Sequence, residues 1–377
     1  MGTRTGPGLD EEGLEPDLQD NTFNGTRHQA SVNHEIGLPR IQVSKSSALV
    51  LFGLGIYLAY LRHLGLGEVA ESLDGVNPVL FFAALALSLL MVAFNALSWK
   101  RVAEELDRGA SSRDFFLIYL SSIFLNNLIP SGSFSGETAR VYFLSKAGGG
   151  SAPRFDASFA SVAASRIITA VPFVLGMILG LAYLTSLRQV PSWALTTCFA
   201  MMIFTVSAGF VFVGICFEER WLQRMVGVGI GPLERIFHRE LDREICSGTV
   251  SGFMRSMLLL RRKNRALIES LAWAFAGWLC LEAVAFAAFR SLGVNISLLA
   301  IFAVYSVIIV FQTLPLGLPG GIGLVEILMT ALFGAVGISI YDAAAVTILI
   351  RLVQLWFLAL LGGLSTVHLM RRIEGDR

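Results

Sequence analysis

NLIPSGSFSGE, residues 127–137, sets one proline, two glycines, three serines and a glutamate between two apolar runs. LPGGIGLVE, residues 318–326, repeats its spacing. Pro130 precedes Glu137 by seven residues, as Pro319 precedes Glu326, and Gly132 and Gly321 each follow their proline by two. Proline removes a backbone donor and glycine frees the chain, so both stretches interrupt any helix that reaches them. In hydrocarbon an unpaired amide or carbonyl costs several kcal/mol, and irregular backbone persists there only when protein covers it or when it lines a wet cavity. The depth of these two breaks in a membrane therefore decides the fold.

The composition places them in one. Of 377 residues, 54% are hydrophobic and 15% charged, with a mean hydropathy of +0.66, which is the profile of an all-α polytopic membrane protein. A net charge of +1 gives no reason to expect a nucleic-acid partner. Cys198, Cys216, Cys246 and Cys280 have no metal or redox spacing, and neither a metal site nor a cofactor is expected. Residues 1–45 are polar and without an apolar core, which predicts a disordered cytoplasmic tail.

Six apolar stretches are long enough to cross roughly 30 Å of hydrocarbon, at about 47–62, 78–98, 158–184, 193–217, 266–289 and 342–369. Two further regions, 115–146 and 297–338, are broken in the middle and read as helix, break and second helix. Basic residues concentrate in 99–114, 138–157, the linker 218–265 and 371–377, whereas 63–77, 185–192 and 290–296 hold only Arg188 and Arg290. The positive-inside rule then puts both termini in the cytoplasm of a multi-pass cell-membrane protein. That assignment closes if the first broken region enters from the cytoplasm and the second from outside, two re-entrant hairpins pointing at each other. Halves 46–217 and 266–370 would form an inverted-topology repeat, joined by the basic linker, with a short cytoplasmic tail at 371–377. Within the linker, LERIFHREL (233–241) suggests a short amphipathic segment and RRKNR (261–265) a basic cluster at the membrane surface.

Each hairpin is followed by a span with one intramembrane arginine, Arg166 at 29 residues after Glu137 and Arg351 at 25 after Glu326. An arginine near mid-bilayer costs about 2.5–3.5 kcal/mol on insertion scales, so it faces the bundle interior and pairs. Glu137 and Glu326 are the expected partners. These pairs either hold the hairpins in place or lend their guanidinium forks to the phosphate oxygens of an anionic lipid, and the two roles are compatible. Arg140, at i+3 from Glu137, is placed at the cytoplasmic mouth of the site, with Asn127 beside it. Pro130, Gly132, Gly136, Pro319, Gly320, Gly321 and Gly323 form the breaks. Asn126, Gln312 and Gln354 add polar groups nearby, and Glu282 is a further intramembrane carboxyl, open to either structural pairing or proton coupling.

The pattern N-x-x-P-x-G-x-x-x-G-E-x-x-R at 127–140, followed by an arginine-bearing span, LPGGIGLVE at 318–326 and RLVQLW at 351–356, resembles the transmembrane region of lysylphosphatidylglycerol synthases. It is similar to the wider group of flippase-like proteins, including archaeal ones linked to polyprenyl-phosphate sugars, over about 47–370. The resemblance implies a lipid flippase without a catalytic domain, because the soluble aminoacyl-transferring domain of full synthases has no room here. The partners it implies are anionic phospholipids or polyprenyl-phosphate sugars and a separate lipid-modifying enzyme. Family members often have acidic residues beside the first-repeat arginine and three after it. Here Ser165 and Thr169 stand there, which leaves Glu137 as the partner of Arg166.

An enzyme is not expected. The histidines sit in the tail, a linker or near a membrane edge, so SFSG at 133–136 lacks a base, and no D-x-D motif is present. The competing reading is transport of a small anionic solute or ion through the same architecture. There is no P-loop to imply direct use of ATP.

Overall fold

A computed structural model describes residues 43–106, 109–129, 134–147, 155–187, 190–218, 220–221, 224, 243–314 and 317–375. The LERIFHREL segment and residues 1–42 of the expected tail lie outside these residues, as do Pro130 and Gly132 at the first break, while 43–45 of that tail already belong to the first helix. Among them, in chain order, are α1 (Val43–Leu64), α2 (Leu66–Leu73), α3 (Pro78–Glu104), α4 (Ser112–Leu128), α5 (Phe134–Ala147), α6 (Phe155–Ser186) and α7 (Ser192–Phe217). There follow α8 (Arg243–Arg261), α9 (Asn264–Ser291), α10 (Leu298–Thr313), a 3-10 turn (Pro319–Gly321), α11 (Leu324–Ala335) and α12 (Ile340–Arg351). A π-helical turn (Leu352–Phe357) and α13 (Leu358–Gly375) complete the described chain. The protein is an all-α, multi-pass membrane protein.

Five helices are long and apolar enough to cross a membrane: α3, α6, α7, α9 and the continuous segment Ile340–Glu374. The expected span 47–62 becomes a sixth only together with α2, since the chain bends by 94° at Gly65. The outer loop expected at 63–77 thus contains a helix. The last helix continues to Gly375, beyond the boundary expected at 370.

Local sequence explains where the elements start. The Asn77 side chain accepts from the amides of Val79 and Leu80, and Pro78 occupies the first helical position of α3, where its missing N–H costs nothing. Ser111 and Asp114 form a reciprocal capping box at α4. Ser297 caps α10.

α3 and α9 run antiparallel, with Asn77 N–H donating to the Ser291 carbonyl at one end and Arg101 pairing with Glu269 at 2.6 Å toward the other. Between them Ser98 and Ser270 meet at 3.0 Å. α4 enters from the end where α3 finishes, where Trp99 packs edge-on against Phe115. It is clasped along its length by α13 through Asp114 to Arg372 at 2.7 Å and Ser121 to Thr366 at 2.7 Å. α10 enters from the end where α9 finishes and packs antiparallel to α6, where Gly180 lies against the Ala303 backbone. The two broken regions come from opposite ends, and Asn127, near the end of α4, meets the second break: a Cβ on Gly320 would stand 3.2 Å from Asn127 Oδ1.

The basic linker is more structured than its charge suggests. Over 243–261 it forms α8, whose Phe253, Met254, Met257 and Leu260 pack on Ala157, Ala160, Ala163 and Ala164 of α6. Small residues on α6 let the larger α8 side chains approach closely. Part of RRKNR is engaged too, with Lys263 to Glu105 at 3.0 Å and Arg265 to Glu269 at 2.9 Å.

α1 covers the second break through glycine contacts. Gly323 has φ +92°, and a Cβ there would lie 2.6 Å from the Gly53 carbonyl oxygen. Gly323→Ala is expected to destabilise by roughly 1–3 kcal/mol through backbone strain and this clash. Gly55→Ala, with open space around it, should leave thermal unfolding in detergent unchanged or slightly later.

Candidate functional site

The helices flanking the first break, the second break, α6, α9 and the π turn line a cavity of roughly 250 Å³. Its lining mixes polar residues, Asn95, Asn126, Asn127, Gln312 and Gln354, with the charged Glu137, Arg140, Arg166 and Arg351. Apolar residues, among them Met91, Ile123, Ile309, Phe311, Leu318 and Leu355, complete the lining.

The first charged cluster is built at the start of α5. Gly136 is not part of the break, as its composition suggested, because the helix resumes at Phe134. It lies in the first turn, where a side chain would collide with the Ser122 carbonyl, and its amide donates to Asn126 Oδ1 at 2.6 Å. Asn126 thus satisfies one of the amides that a helix start leaves unpaired. One residue later, Glu137 is shared: Oε1 pairs with Arg166 Nη2, and Oε2 accepts from Arg140 Nη1 at 3.2 Å.

Arg140 corrects the expectation of a residue at the mouth. It is 3% exposed, with its guanidinium carbon 4.2 Å from the Trp99 ring centroid and 5.0 Å from that of Tyr119. Its Nη2 donates to Ser165 Oγ at 3.2 Å. Two aromatic faces and a hydroxyl hold a cation in place of a second carboxylate. Ser165, which stands where the family often has an acid, thus serves Arg140, whereas Thr169 turns its hydroxyl to its own backbone, 2.9 Å from the Ser165 carbonyl.

The second cluster ties down the other tip. Glu326 Oε2 accepts from the Gly323 amide at 2.7 Å, which caps α11, and Oε1 accepts from Arg351 Nε at 2.5 Å. Arg351 Nη2 donates to the Gly320 carbonyl at 2.7 Å. Gly320 (φ +59°) and Gly321 (φ +65°) adopt a left-handed backbone that Pro319 introduces. Directly after Arg351 the helix widens into the π turn, a feature frequent at functional sites, which carries Gln354 into the cavity wall.

The arginines therefore differ. Side-chain exposure is 7% for Arg351 and 5% for Glu326, against 40% for Arg166 and 20% for Glu137. The sequence, with its matched spacing, suggested equivalence. Arg351 is locked to backbone and carboxylate, and Arg166 is open to the cavity. Trp99 and Tyr119 were missed because nothing in their local sequence ties them to Arg140, which they meet only in the folded chain.

The profile of the lysylphosphatidylglycerol synthase TM region matches residues 46–362, nearly the whole described chain. The chain belongs to that family. It is also similar to UPF0104 membrane proteins of archaea. One from Methanothermobacter thermautotrophicus is 26% identical over 321 residues, covering 84% of this chain and 94% of the relative. One from Pyrococcus horikoshii is 25% identical, covering 85% and 96%, and one from Methanocaldococcus jannaschii is 25% identical, covering 89% and 98%. The lipid-related family and the membrane architecture agree.

Removing Glu326 strands a buried guanidinium, whereas removing Glu137 leaves Arg166 half in the cavity and the buried Arg140 still held by Trp99, Tyr119 and Ser165. Glu326→Gln is expected to destabilise by about 3–5 kcal/mol, and Glu137→Gln by a much smaller amount, read as thermal unfolding in detergent.

Proposed function

We propose that this family member is a flippase-like transporter that passes an anionic lipid headgroup, of a phospholipid or a polyprenyl-phosphate sugar, through the cavity between the two breaks while the acyl or prenyl chains stay in the bilayer. The observation that carries this reading is the half-exposed Arg166 guanidinium in a cavity whose lining is both polar and apolar. A guanidinium fork matches phosphate oxygens, and apolar lining residues suit the first carbons of a lipid.

Charge supports the same reading. Arg140, Arg166 and Arg351 stand against Glu137 and Glu326 around this centre, an excess of one positive charge when any further carboxyl is neutral. The headgroup would displace Glu137 from Arg166, and Glu137 would keep its bond to Arg140 and retake Arg166 on release. Arg351 and Glu326 would position the second tip rather than bind cargo, with Asn127 holding the tips together beside Gly320.

In this reading the oppositely entering hairpins are halves of an inverted repeat, both termini are cytoplasmic in the cell membrane, and no covalent step occurs. Any lipid modification falls to a separate enzyme. The basic end of the bundle, with Lys100, Arg101, Lys263 and Arg265, faces inward by the positive-inside rule.

The test is lipid movement in vesicles holding the purified protein and fluorescent phosphatidylglycerol or a polyprenyl-phosphate sugar. Arg166→Ala is expected to slow movement roughly 10- to 100-fold, the loss of one charge-assisted contact. Arg166→Lys, which keeps charge but not the fork, should fall between it and the wild type. Undiminished movement in Arg166→Ala would refute the assignment, and uptake of a free anion without lipid movement would replace the headgroup with a small solute.

A further inference from the structure

Glu282 lies outside both ion pairs. It sits in the middle of α9, 1% exposed, and neither of its carboxyl oxygens has a hydrogen-bond partner. One turn earlier on the same helix, Trp278 Nε1 is also buried and unpartnered, as are the Tyr305 hydroxyl of α10 and Gln354 Nε2 of the π turn. Trp278 stands beside the Glu282 carboxyl, and Tyr305 lies near Glu282 and beside Gln354. Three elements therefore gather polar atoms without a well-formed hydrogen bond into one region, where nearly all such atoms are normally paired. Trp278 and Gln354 also line the cavity, with Glu282 and Tyr305 behind them.

The charges around it do not supply a counter-ion. From α12 the nearest is Arg351, committed to Glu326 and Gly320. From α6 it is Arg166, paired with Glu137. From α10 the titratable group is Tyr305 itself. On α3, Arg101 and Glu104 meet Glu269, which lies 13 residues from Glu282 along α9, roughly 20 Å away. The basic residues of α8 lie toward that same end. An intramembrane carboxyl with no cation at hand is held as the neutral acid, and such groups mark proton relays.

We propose that Glu282 is a proton-binding site, reached from the cavity past Gln354 and Tyr305, and that a proton bound there accompanies the anionic headgroup. Uptake forms one O–H bond on the carboxylate and takes its charge from minus one to zero, and release reverses this. The coupling half of the proposal rests on the transport reading. The proton site itself does not.

Two measurements separate these halves. Infrared difference spectra between acidic and alkaline buffer, on the protein in phosphatidylglycerol nanodiscs, should show a protonated-carboxyl carbonyl band. Glu282→Gln should remove that band and Glu282→Asp should shift it. A band unchanged in Glu282→Gln overturns the site, whether or not lipid moves. In vesicles doped with fluorescent phosphatidylglycerol, reversing an imposed pH gradient should change the wild-type rate about fivefold or more. Glu282→Gln should keep lipid movement but lose this response, with Glu282→Asp retaining part of it as the control for folding. An equal response in wild type and Glu282→Gln overturns the coupling. No lipid movement in either protein overturns the transport reading and the coupling with it, while the infrared band still decides the proton site.

Discussion

A helix that stops inside hydrocarbon leaves amides and carbonyls that water cannot reach, and the centre of this protein is arranged to meet them. The Gly136 amide goes to Asn126, the Gly323 amide to Glu326 and the Gly320 carbonyl to Arg351. Each of these is a side chain that also borders the cavity or pairs with one that does. The charged residues of the site thus serve first as backbone partners. Glu326 does so most clearly, since one oxygen caps α11 while the other holds Arg351.

That double service explains why the two charge clusters differ. At the second break the carbonyl and amide both lean on the Arg351–Glu326 pair, so neither member can leave without stranding the backbone. At the first, the Gly136 amide is met by a neutral asparagine, and Glu137 is released from capping that amide. Arg140 is held by Trp99, Tyr119 and Ser165 as well as by Glu137. It keeps Glu137 anchored whatever Arg166 does. A carboxylate with one fixed and one exchangeable partner can give up the exchangeable one at modest cost, because it is never left unpaired in a region of low dielectric.

Much of this was legible in the sequence, and for a physical reason. Proline, glycine and charge are expensive in a membrane, so their spacing carries information, and it located both broken regions and both arginine–glutamate pairs. What stayed hidden involves residues that are unremarkable alone. The contact between α8 and α6 depends on alanines opposite Phe253 and Met257, a complementarity visible only once the helices are adjacent. The π turn after Arg351 has no composition signal in RLVQLW. The burial of Arg140 depends on Trp99 and Tyr119, which are distant in the chain. Matched spacing also suggested equality where exposure separates Arg166 from Arg351, because periodicity reports where a residue sits along a helix and not how many bonds it has already made.

The balance of charge links the remaining carboxyl to the cavity. With Glu282 neutral, three guanidinium groups face two ionised carboxylates among the described intramembrane residues, and one negative charge on a ligand completes the balance. With Glu282 ionised the balance is already complete, and a bound anion becomes an excess charge in a medium that penalises it. Glu282 would need no contact with the ligand for this, since charge acts at a distance in a medium of low dielectric. On the proposed reading, the protonation state of one buried side chain would thus set whether the same arginines form a site for an anion or a closed network.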